Sequence, residues 1–66
     1  SIFPPGTMVK IKSGPYNGYQ AVVVKLFRDK LDKPLVRLLY NRSGEKLSKP
    51  FEVDLRNENF AVEVVV

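Results

Sequence analysis

The chain has 66 residues, enough for one domain and too few for two. It contains no cysteine and no histidine, which excludes a disulfide framework, a thiolate metal site and the usual general base of acid–base catalysis. Eleven Lys and Arg against seven Asp and Glu leave a formal charge of +4, a mild excess whose placement matters more than its size.

Phe3-Pro4-Pro5-Gly6 is expected to be an extended lead-in, because a residue before proline is pushed out of the α region. A first strand is predicted over about 7–12, with Val9 and Ile11 on one face and Lys10 and Lys12 on the other. Ser13-Gly14-Pro15-Tyr16-Asn17-Gly18 reads as a loop whose glycines suit positive φ. A second strand follows from Tyr19 to Leu26, rich in valine. The run from Phe27 to Lys33 mixes charge signs and reads as a solvated loop with room for one helical turn.

Pro34 to Tyr40 is predicted as a third strand with apolar residues on both faces, hence central and well covered, and with Tyr40 in the core. Asn41-Arg42-Ser43-Gly44 is a strong turn signal. A shorter fourth strand is expected to begin at Phe51, behind Pro50, which cannot donate a ladder hydrogen bond. Asp54 to Asn59 reads as a polar turn, compatible with a single 3₁₀ turn and capped by the Asp54 side chain. Phe60 to Val66 forms the last strand. Five short strands at this spacing predict an all-β fold, a small five-stranded SH3-like barrel spanning residues 1–66 as one domain.

Lys10, Lys12, Lys25, Arg28, Lys30, Lys33, Arg37 and Arg42 lie in the first two-thirds, whereas Glu45, Glu52, Asp54, Glu58 and Glu63 follow Gly44. This asymmetry fits a phosphate-meeting face, or lysines that protect a sheet edge from association. Arg37 is expected to pair across strands with Glu52 or Glu63. Tyr16 and Tyr19 flank Gly18, placed either to stack bases beside lysines or to cover the open end of a small barrel. No apolar run approaches the ~20 residues of a membrane-spanning helix and no signal-peptide pattern is present, so a cytoplasmic location without a membrane partner is expected. The chain opens at Ser1 without an initiator methionine, which favours a domain taken from a longer protein.

Gly6, Val9, Ile11, Gly14, Pro15, Gly18, Val22 and Val23 together resemble the KOW motif of small ribosomal and transcription-elongation barrels, with Ala21 standing where that family usually has glycine. The resemblance implies RNA contact through the first hairpin loop, carried here by Lys10, Lys12, Tyr16, Asn17 and Tyr19. A second resemblance covers nearly the whole chain. Pro4-Pro5-Gly6-Thr7, Pro34, Val36, Arg37, Leu39, Gly44, Leu47, Asp54-Leu55 and the valines from 62 to 66 resemble the C-terminal segment of bacterial HD and HD-GYP metal-dependent phosphohydrolases.

That second resemblance implies a non-catalytic accessory barrel that packs on its own chain's catalytic domain or on a protein partner. The divalent metal and its ligands would belong to the parent enzyme, with no catalytic residue, cofactor or metal site in this segment. It is the leading functional expectation, and a KOW-type RNA-binding barrel is the alternative. An SH3-like peptide-groove module ranks last, because tryptophan is absent and tyrosines are few.

Overall fold

Alternation along the first two apolar runs decides which side of the sheet is dry. In the computed structural model, which describes residues 3–65, β1 (Met8–Ile11) buries Val9 and Ile11, and β2 (Gln20–Lys25) buries Ala21 and Val23. β3 (Leu35–Tyr40), β4 (Lys46–Asp54) and β5 (Val62–Val64) complete one antiparallel sheet in the order β4-β3-β2-β1-β5. Opposed residues share a face, so Val9, Ala21 and Leu38 line up across the interior, as do Val23 and Val36. The protein is all-β, a small five-stranded domain consistent with an SH3-like barrel.

Phe3 and Leu55 close the single core from outside the strands. Leu55, 1% exposed, sits in what reads as a polar turn. Its N–H donates to the Pro34 carbonyl at 3.2 Å, which draws the turn onto the start of β3. Ala21 is fully buried between Val9 and Leu38, so the small side chain at this position fills interior space.

Several expectations need correction. The lead-in is a tight turn: Thr7 N–H donates to Pro4 O at 3.0 Å, with Pro5 and positive-φ Gly6 at the centre, the pair favoured in a type II turn. β4 is the longest strand, nine residues, and passes through Pro50. Phe51 faces Leu38 while Lys46 faces Tyr40, so the residues around Pro50 stand opposite a register break. β4 is also an edge strand, where a missing N–H is tolerated.

Tyr40 is half-buried and lies outside the core. An irregularity at Leu39 shifts the pleat by one residue and sets Tyr40 opposite Gln20 and Lys46 on the outer face. The 27–33 segment forms two successive tight turns, Phe27 to Lys30 and Lys30 to Lys33, rather than a helical turn. The Asp54 turn closes through one bond, Asn57 N–H to Asp54 O at 3.1 Å. The last strand is only Val62–Val64, with Phe60 ahead of it, and Val66 lies outside the described residues.

Other expectations are met. Arg37 and Glu52 are register partners and their side chains pair at 2.6 Å. Both are about half exposed, so the pair contributes at most about 1 kcal/mol. Asp54 Oδ1 accepts from Arg56 N–H at 3.0 Å, capping the turn, and the same carboxylate takes both Arg56 Nε and Nη2. The Arg56 guanidinium also lies 3.4 Å from the centre of the Phe27 ring, tying the turn to the end of β2.

Two measurements check this account. Leu38→Ala removes a fully buried side chain and should cost about 2–5 kcal/mol in urea unfolding. The hydrogen bonds from Arg56 hold the Asp54 carboxyl below its ordinary range. Its stabilisation is therefore complete above the ordinary aspartate value and is lost as pH falls through the lowered one. Asp54→Asn should flatten the acid limb of a stability–pH curve measured between about pH 5 and pH 2.

Candidate nucleic-acid interface

The loop between β1 and β2 is shaped by backbone bonds that only a glycine-bearing sequence accepts. Asn17 N–H donates to Gly14 O at 3.2 Å, Tyr19 N–H to Tyr16 O at 2.9 Å, and Gly18 N–H to Ile11 O at 2.7 Å. Gly14 and Gly18 hold φ of 80° and 90°, a region costly for any residue with a Cβ. Space is short as well. A Cβ on Gly14 would collide with the Phe60 ring, and one on Gly18 would stand 2.9 Å from Arg42 Cγ.

Two other parts of the chain grip this loop. Ser13 Oγ accepts from Ala61 N–H at 2.8 Å, and Lys12 N–H donates to Ala61 O at 2.7 Å, fastening the loop to the approach to β5. From the β3–β4 turn, Arg42 Nε donates to Asn17 O at 2.8 Å while its guanidinium lies 5.6 Å from the Tyr19 ring centre. Arg42 is aimed by its own turn. Asn41 Oδ1 accepts from Ser43 N–H and Glu45 N–H, both at 2.9 Å, and Gly44 takes the positive-φ position.

The ring of Tyr16 lies edge-to-face with three others: Phe51 at 5.2 Å, Tyr19 at 5.4 Å and Phe60 at 6.2 Å. The five residues expected to carry binding therefore divide. Tyr16, Asn17 and Tyr19 gather at the loop, but both tyrosines are half-buried against the core. Only Asn17 among these three is exposed, and its carbonyl is occupied by Arg42. Lys10 lies on the outer face opposite Gln20 and Glu63. Lys12 is exposed and pairs with Glu63 at 3.4 Å.

Arg42, Phe51 and Phe60 join this site without having been singled out for it. Arg42 was legible as a turn residue and as one of the basic residues of the first two-thirds, and the two phenylalanines only as strand residues. Their meeting depends on the β3–β4 register and on the path into β5, neither of which leaves a local mark. Among the described residues no group of three or more acidic, His or Cys side chains could hold a metal, and no helix is long and apolar enough to cross a membrane.

The architecture is that of a small β-domain whose first hairpin carries a braced, glycine-punctuated loop. The KOW motif matches residues 5–37, half of the chain, and the protein belongs to the KOW motif family. Comparison with curated proteins and with solved structures finds no match. Nothing in these comparisons bears on the phosphohydrolase resemblance.

The braced loop makes a stability ranking. Gly44→Ala meets open space and incurs the φ penalty alone, about 1–2 kcal/mol. Gly14→Ala meets the same φ penalty plus the Phe60 ring, and should lower the urea midpoint further than Gly44→Ala does.

Proposed function

We propose that this domain binds RNA through the β1–β2 loop and the surface beside it, and that it performs no chemistry of its own. The observation that carries this reading is the KOW match over residues 5–37, which contains the whole loop. The geometry supports it in two ways. The loop is held in one shape by Arg42 and by the Ser13–Ala61 bond, so little ordering entropy is left to lose on binding. Aromatic rings lie next to cationic side chains there, the combination that stacks bases while attracting phosphates.

Roles follow from placement. Lys10 and Lys12 would meet phosphates, Lys12 by exchanging Glu63 for the ligand. Asn17, exposed at the loop, would offer its side-chain amide to a base or a sugar. Tyr16 and Tyr19 would present ring edges while continuing to hold the loop against the core. An accessory role on a phosphohydrolase has no comparable observation in its favour.

Titration with RNA at low and at moderate salt tests the reading. Binding should weaken steeply as salt rises. Lys10→Ala with Lys12→Ala should lower the affinity and reduce the magnitude of the salt slope by about one for each phosphate that is no longer neutralised. If neither structured nor single-stranded RNA binds at low salt, the proposal fails.

A further inference from the structure

The aromatic most open to a ligand is not in the loop. Phe51, on β4 and beyond the matched residues, is 36% exposed, whereas Tyr16, Tyr19 and Phe60 are more covered and pack on the core. Phe51 faces Leu38 across the β3–β4 ladder, so it starts on the inner face of the sheet. On an edge strand the inner face runs out at the rim, and the ring there touches Tyr16 at 5.2 Å while keeping solvent access.

A large apolar side chain left at a rim is ordinary by itself, but two further features surround this one. Its supporting ring is fixed. Tyr16 is held by contacts to Tyr19 and Phe60 as well as Phe51, which gives a preset aromatic wall rather than a floppy one. Two cations without acidic partners among the described residues lie near it in the chain or along the same loop, Arg42 among them with its Nε donating to the Asn17 carbonyl. Lys49, two residues before Phe51, and Arg42, which braces the same loop as Tyr16, are exposed and form no ion pair among the described residues. Acidic residues near the loop are by contrast engaged, Glu63 by Lys12 and Glu45 by Asn41.

An open ring beside cations fits an unpaired nucleobase with its phosphates. It does not fit a stacked duplex, whose bases offer no free face. We infer that Phe51, backed by Tyr16, is a stacking platform for an unpaired base, with Lys49 and Arg42 meeting the adjoining phosphates, so that the domain selects single-stranded over double-stranded RNA. This inference rests on the RNA-binding reading and adds a residue and a substrate class to it.

The test compares a short single-stranded oligouridine with a blunt RNA duplex of equal length, using the full chain and its Phe51→Leu and Phe51→Trp variants. The wild type should prefer the single strand, and Phe51 ring protons should move upfield as it binds. Phe51→Leu keeps an apolar side chain and removes the π face. It should weaken single-strand binding by roughly 5- to 100-fold, the range for one stacked base, without changing the salt slope. Phe51→Trp should retain or improve binding, which guards against a packing defect in the leucine variant.

Equal affinity for strand and duplex would overturn the platform. So would single-strand binding that Phe51→Leu leaves intact while the Lys10 and Lys12 changes reduce it; the RNA-binding reading would then survive alone. Absence of binding to either RNA removes both.

Discussion

One ring holds the two margins of this sheet together. The order β4-β3-β2-β1-β5 leaves β4 and β5 at opposite edges, and no ladder joins them among the described residues. Tyr16 reaches Phe51 of β4 on one side and Phe60, at the approach to β5, on the other. Apolar and edge-to-face contact replaces the missing seam, worth about 0.5–1.5 kcal/mol for each aromatic pair beyond area burial. The rest depends on that contact. Gly14 must be a glycine because Phe60 occupies the space where its side chain would stand, and the loop takes its shape around the packed rings.

Charge is distributed with similar economy. Eight of the eleven basic residues precede Gly44 and five of the seven acidic ones follow it, yet folding brings members of the two groups face to face. β5 gives Glu63 to Lys12 and β4 gives Glu52 to Arg37, while Asp54 and Arg56 hold each other within one turn. All three pairs are solvent-accessible and contribute little to stability. Their larger effect is to decide which cations stay available. Lys49, two residues before Phe51 in the chain, and Arg42, which lies over Tyr19, form none of these pairs.

Strand alternation, glycine and turn chemistry made much of the fold legible in advance. Val9 and Ile11 declare the dry face through a period of two, and Asn41 to Gly44 announce their turn by residue type. The errors occur where the period slips. An irregularity at Leu39 turns Tyr40 outward, and the break opposite Pro50 lets a strand continue past a residue that normally ends one. The place of Leu55 in the core goes unread because its neighbours Asp54, Arg56 and Asn57 are polar and its partner is the distant Pro34. The proposed binding surface was half legible. Local sequence shows Tyr16, Asn17 and Tyr19, whereas Arg42 and Phe51 arrive through long-range register, which no local window contains.

Arg42 has a consequence for how the motif is to be understood as a unit. The family match ends at residue 37, while the side chain that clasps the carbonyl of Asn17 and covers Tyr19 is supplied by the next hairpin. The signature hairpin is therefore not autonomous. Transplanted onto a foreign scaffold without a donor in Arg42's place, it would bring its glycines and tyrosines but would lack the brace that gives them one conformation.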